Sequence, residues 1–166
     1  MFFNFKNNIP DQVCEKLSDF PFSELYDRGF RFALLDIDNT IAPDRSKEPV
    51  EYSRLIVKLL QNAGFVCCIV SNAKSSRSLA FSKSLGIECV PSAGKPSPKG
   101  VLNALIKLNA DKGQTVLFGD QMFTDIAAAK RAGVYSVLVE PYNKNEIFYV
   151  KMKRPFERMI RKWYGI

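Results

Sequence analysis

Five short apolar runs, at residues 32–35, 65–70, 87–90, 116–118 and 134–139, divide the centre of the chain into segments. Most of the segments between them carry helical periodicity. Phe32-Ala33-Leu34-Leu35 has no polar residue at either alternate position, so a strand there must be covered on both faces. Residues 50–62 place Leu55, Ile56, Leu59 and Leu60 at helical spacing and stop before Gly64. Further helices are expected at 75–84, ended by Gly86, at 101–108, and at 126–131, closed by Gly133. Strands alternating with such helices require βαβ crossovers, hence a parallel sheet with helices on both faces. The expected fold is therefore α/β, three-layer αβα, with a central mainly parallel sheet. Residues 11–20 read as one more helix ahead of this core. A single domain over 1–166 is expected, with its core at about 30–140 and an appendage at 141–166.

Composition removes several chemistries. The 166 residues include no histidine, so no Ser-His-Asp triad and no Cys-His pair can form. Acid–base work must fall to carboxylates, lysines or tyrosines. The cysteines, Cys14, Cys67, Cys68 and Cys89, form no CxxC pair. Cys67 and Cys68 sit inside an apolar run and point to opposite faces of a strand, which suits packing better than redox or metal chemistry. The apolar opening Met1-Phe2-Phe3 is broken at once by Asn4 and Lys6. No later run approaches the ~20 apolar residues of a membrane span. A cytoplasmic protein without signal peptide or transmembrane segment is expected.

In open parallel sheets, ligands bind beyond the carboxyl ends of the strands. The first of these strands runs into Asp36-Ile37-Asp38-Asn39-Thr40, and the second into Ser71-Asn72. The third leads to Lys95-Pro96, and the fourth to Gly119-Asp120 with Asp125 shortly after. Singly, these are a solvated turn, a helix cap, a surface lysine and a second turn. In chain order at one edge of one sheet, they are a set of groups suited to phosphate chemistry.

This ordered set resembles the four motifs of the haloacid dehalogenase-like phosphohydrolase superfamily, over roughly residues 30–140. The resemblance implies a Rossmann-like core and Mg²⁺ as cofactor. It implies Asp36 as a nucleophile forming an aspartyl-phosphate, and Asp38 as the acid–base partner. Ser71 and Lys95 bind and neutralise the phosphoryl group, Asn72 and Thr40 support substrate, and Asp36, Asp38, Asp120 and Asp125 serve the metal. Lys99 is the alternative third-motif lysine; the Lys95-Pro96 pair matches the family pattern better. An aspartate at position 38 favours phosphatase chemistry within the superfamily. The spacing between motifs leaves no room for a cap domain, so the site is expected to be open to large or surface-bound substrates.

From Lys144 onward the chain has seven Lys or Arg against two Glu. Pro155 suits a first helical turn, and Phe156, Met159, Ile160 and Trp163 then share one face. Such a helix over 155–164 can lie on anionic lipid, or pack its aromatic face on the core. Leu34-Leu35-Asp36-Ile37-Asp38-Asn39-Thr40-Ile41, Gly119-Asp120-Gln121 with Thr124-Asp125-Ile126, and Val139-Glu140-Pro141 are similar to the YqeG-type subfamily and, through it, to mitochondrial phosphatidylglycerophosphatases. That resemblance implies dephosphorylation of phosphatidylglycerophosphate, an anionic phospholipid, in phosphatidylglycerol and cardiolipin biosynthesis, with peripheral membrane association. The segment 126–131 departs from the expected pattern in lacking a Gly-Asn pair. Two alternatives stand beside it. One is a nucleic-acid-end or small-metabolite phosphatase using the same basic tail. The other is a non-catalytic ribosome- or GTPase-associated adaptor.

Overall fold

Six strands form one sheet in the order β1-β6-β5-β2-β3-β4, and every neighbouring pair in it is parallel. The strands are β1 (Gln12–Cys14), β2 (Phe32–Leu35), β3 (Val66–Val70), β4 (Glu88–Val90), β5 (Thr115–Gly119) and β6 (Tyr135–Val139). The helices are α1 (Phe22–Asp27), α2 (Glu51–Asn62), α3 (Ser75–Leu85), α4 (Lys99–Leu108) and α5 (Ala127–Ala132). This computed structural model describes residues 8–142 together with Arg158 and Lys162. The rest of the basic stretch at 155–164 lies outside the described residues.

Alternation along the strands explains the layers. Ala33, Leu35, Cys67, Ile69, Val116 and Phe118 face a core filled by α1 and α2. Leu34, Cys68, Val70 and Leu117 face the opposite core, filled by α4 and α5. Leu34 and Leu35 are fully buried, each contributing about 1.5–3 kcal/mol of apolar transfer. Helix α2 is tied to the loop after β2 by Ser53, whose Oγ donates to the Ile41 carbonyl at 2.7 Å and accepts from the Val50 N–H at 3.2 Å. Helix α3 ends because Gly86 turns left-handed at φ 66°, a conformation open to glycine at no steric cost.

The chain winds outward from β2 through β3 to β4, then returns to the other side of β2 with β5. The topological switch point thus lies between β2 and β5, where a ligand crevice opens in such sheets. No cap domain is inserted among the described residues: β2 and α2 are joined by residues 36–50 alone, and β4 and α4 by residues 91–98.

The helix expected at residues 11–20 does not form. Gln12–Cys14 instead pairs with β6 as a parallel edge strand, in register with Val137 to Val139. Asp11 decides the matter, because its Oδ2 accepts from both the N–H and the Oγ of Ser136 at 2.8 Å. Its Oδ1 accepts from Lys130 Nζ. The rest of the expected helix contains only a 3₁₀ turn, Leu17–Asp19, and α1 does not begin until Phe22. All four cysteines are free and buried. Burial pushes the thiols of Cys67 and Cys68 up to about 12, so they pack as neutral groups.

Candidate active site

Asp36 follows directly on β2 and stays in the sheet's hydrogen-bond network, its N–H donating to the Phe118 carbonyl at 3.1 Å. Asp120 follows directly on β5, the neighbouring strand. Two carboxylates therefore meet at the switch point for reasons of topology alone. Asp125 arrives by a different route. A single π-helical turn, Met122–Ile126, swings back towards the strand end, a local irregularity common at functional sites. The Gln121 N–H donates to Asp125 Oδ2 at 3.0 Å. Gly119 leaves the space, since a Cβ there would stand 2.3 Å from Asp125 Cβ.

Lys95 closes the cluster. Its Nζ lies 2.7 Å from Asp36 Oδ1 and 2.6 Å from Asp125 Oδ1, with only 2% of its side chain exposed. The loop that carries it is braced by Asn72, whose amide donates to the Lys95 carbonyl at 2.9 Å and accepts from the Lys95 N–H at 2.8 Å. Arg131 donates to the Pro96 carbonyl at 2.8 Å on the far side. Lys99, by contrast, is exposed at the start of α4. The lysine beside Asp36 is Lys95.

Burial dominates the electrostatics. It pushes the Asp36 carboxyl up to about 7, against the pull of Lys95 and with Asp125 adding to the rise. For Lys95 burial works against the charge, but Asp125 and Asp36 outweigh it and hold the ammonium above its ordinary range. Oxygens of Asp36, Asp120 and Asp125 all lie within 4.8 Å of one another, and all three residues are buried. Three carboxylates against one ammonium leave two formal negative charges in a low-dielectric site, which is costly unless compensated. A divalent cation with a preference for hard oxygen ligands fits that deficit. The donor set therefore suits Mg²⁺.

The remaining residues singled out in the sequence surround this cluster. Ser71 is buried beyond β3, its Oγ accepting from the Ala73 N–H at 3.1 Å. Thr40 is buried in the turn after Asp38, and its Oγ1 has no hydrogen-bond partner among the described residues. Asn72 has its amide engaged with the Lys95 backbone. Asp38 is held by a residue that sequence reasoning missed: Arg77 Nη1 donates to its Oδ2 at 2.9 Å and Nη2 to its Oδ1 at 2.5 Å. Nothing in the pattern of α3 distinguishes Arg77 from a surface arginine. Only its fold-dependent proximity to Asp38 does.

The fold and the acidic cluster define a Rossmann-like α/β protein whose candidate site sits at the switch point of a parallel sheet. A match to the haloacid dehalogenase-like hydrolase family covers residues 22–133, and the chain belongs to that family. "Probable phosphatase YqeG" of Bacillus subtilis (strain 168) is 28% identical over 156 residues, spanning 92% of this chain and 88% of that protein. An uncharacterized protein from Listeria monocytogenes serotype 4b shares the fold with a TM-score of 0.58 at 16% identity, over 80% of this chain and 99% of that one. The cobalt-bound deoxy-D-mannose-octulosonate 8-phosphate phosphatase of Haemophilus influenzae does so with a TM-score of 0.54 at 16% identity, over 75% and 74% of the two chains.

Proposed function

We propose that this enzyme is a phosphatase of haloacid dehalogenase type that hydrolyses phosphate monoesters through an aspartyl-phosphate on Asp36. The observation that carries the reading is the burial of Lys95 between Asp36 and Asp125, with Asp120 alongside. Family membership and the phosphatase-type relative support the same enzyme class.

Asp36 attacks phosphorus in line: its carboxylate oxygen bonds to phosphorus as the bond to the leaving alcohol oxygen breaks. Asp38 gives its proton to that oxygen, then takes one from the water that hydrolyses the aspartyl-phosphate. Lys95 balances charge on the nucleophile and on the transferring group. Ser71 donates to the phosphoryl oxygens. The Asp36, Asp120 and Asp125 carboxylates, with the Asp38 main-chain carbonyl, would hold Mg²⁺. When bound, the ion neutralises phosphate charge and fixes its orientation.

The substrate we assign is phosphatidylglycerophosphate. The absence of a cap supports a substrate too large or too surface-bound to be enclosed. A contact at the end of the sheet adds to this. The Tyr142 N–H donates to the Asn39 carbonyl at 2.6 Å, and the Tyr142 ring lies 4.7 Å from that of Tyr52. Tyr142 thus lies beside the turn that carries Asp38, and the sequence after it is rich in Lys and Arg, residues that favour an anionic lipid surface. Among the described residues, no helix is long and apolar enough to cross a membrane.

The test is phosphate release from phosphatidylglycerophosphate in mixed micelles with Mg²⁺, beside a soluble chromogenic monoester. Turnover should vanish on chelation and in Asp36→Asn, whose melting should stay cooperative. Activity confined to the soluble ester would overturn the lipid assignment and leave the phosphatase. Activity surviving Asp36→Asn would overturn the mechanism.

A further inference from the structure

Arg77 has no assigned part in the chemistry above, yet it engages the proposed acid, Asp38. Both Asp38 oxygens are occupied: Oδ2 by Arg77 Nη1, and Oδ1 by Arg77 Nη2 and by the Arg45 N–H at 2.9 Å. A carboxylate so engaged is poorly placed to carry a proton to a leaving oxygen. Something must take the guanidinium off it before it can act.

The geometry limits what that can be. Arg77 offers a two-pronged fork, which matches two-oxygen anions such as carboxylates, phosphates and phosphodiesters. Its aim does not depend on Asp38, because Nε donates separately to the Ser46 carbonyl at 2.7 Å. The pair is reachable from solvent, with 19% of the Arg77 side chain and 24% of the Asp38 side chain exposed. Exchange of one anion for another there avoids the desolvation cost that a buried pair would impose. Exposed Arg45, Lys47 and Lys74 lie on the two segments that flank this pair, beside Asp44 and the exposed Glu48, which leaves one net positive charge on the rim.

We infer that Arg77 is the receptor for a second anionic group on the substrate, set apart from the scissile phosphate. Its transfer from Asp38 to that group frees Asp38 for proton transfer. The inference rests on the phosphatase reading, with Asp38 as acid–base. It selects monoesters that carry a phosphodiester or a carboxylate near the phosphate over monoesters with neutral remainders.

The experiment uses two matched pairs. Short-chain phosphatidylglycerophosphate is set against short-chain phosphatidic acid, which lacks the phosphodiester. Phosphoglycolate is set against glycerol 3-phosphate, which lacks the carboxylate. The wild type should prefer the doubly anionic member of each pair it hydrolyses. Arg77→Ala should cut that preference about 10- to 100-fold, the range for a lost charged hydrogen-bond pair, chiefly through KM. Arg77→Lys should restore part of it. Preference in the lipid pair assigns the group to a lipid headgroup, and preference in the soluble pair to a carboxylated metabolite; either supports the subsite. Equal loss on both members of a pair would reduce Arg77 to a brace for Asp38 and overturn it, as would a wild type with no preference. Turnover persisting in Asp36→Asn would instead remove the mechanism beneath it.

Discussion

Replacing Gly119 by alanine tests how the acidic cluster is assembled. A Cβ at this position would stand 2.3 Å from Asp125 Cβ, 2.4 Å from Cγ and 2.6 Å from Oδ2. Close-packed carbon atoms need about 3.5 Å or more, so Asp125 must retreat by roughly 1 Å. That retreat strains the 2.6 Å contact with Lys95 and the 3.0 Å bond from the Gln121 N–H. Overpacking of this kind costs about 1–3 kcal/mol, which lowers the melting temperature by roughly 2–12 °C for a chain of this size. The larger effect falls on the metal. Displacing one carboxylate of three should raise the half-saturating Mg²⁺ concentration about 10- to 100-fold, the usual range for a disturbed ligand shell. Thermal melts with and without Mg²⁺, followed by a Mg²⁺ titration of phosphate release, read both quantities. A variant with unchanged melting and unchanged Mg²⁺ dependence would refute the reasoning, because no rotamer of alanine avoids the contact.

Three further perturbations separate the parts of the site. Lys95→Met leaves three buried carboxylates without their ammonium, which should cost about 3–5 kcal/mol without metal. Added Mg²⁺ should then raise the melting temperature more than in the wild type; an equal rise would show that lysine and metal do not share one charge deficit. Asn72→Ala removes both bonds that hold the Lys95 backbone, so turnover should fall roughly 10- to 100-fold from misplacement of the lysine, and steady-state kinetics beside a melting curve would expose a purely structural loss. Asp11 offers a check on the edge strand: burial raises its pKa, but Lys130 and Ser136 outweigh it and leave it below the ordinary 3.8. A depressed folded pKa means stability fully present above 3.8 and lost as the pH falls through the lower folded value. Asp11→Asn should therefore melt below the wild type near neutrality and approach it in strong acid, and a gap that widens in acid would contradict the pairing.

What could be read from the sequence, and what could not, follows from the range of the interactions involved. Helices α2 to α5 and strands β2 to β6 announce themselves through local periodicity, and the positions of Asp36 and Asp120 follow from the strands that precede them. Strand β1 has no such signal. Three residues, Gln12–Cys14, become a strand only because β6 offers an open edge and Ser136 receives Asp11. The same holds at finer scale within the site. Gly119 reads as a turn glycine, yet both it and Gly100 in α4 serve close approach: a Cβ at Gly100 would lie 2.5 Å from the Ala93 carbonyl oxygen, in the loop that presents Lys95. Arg77 and Asp38 are 39 residues apart, joined by tertiary structure alone. The catalytic groups proposed here are thus the legible part, because parallel sheets deliver strand ends to one place. The residues that set their spacing and their freedom to react are the illegible part, since each acts through a partner that only the fold brings near. Changes at Gly119, Gly100, Asn72 and Arg77 should accordingly alter metal dependence, lysine placement and substrate choice while the motif residues themselves stay untouched.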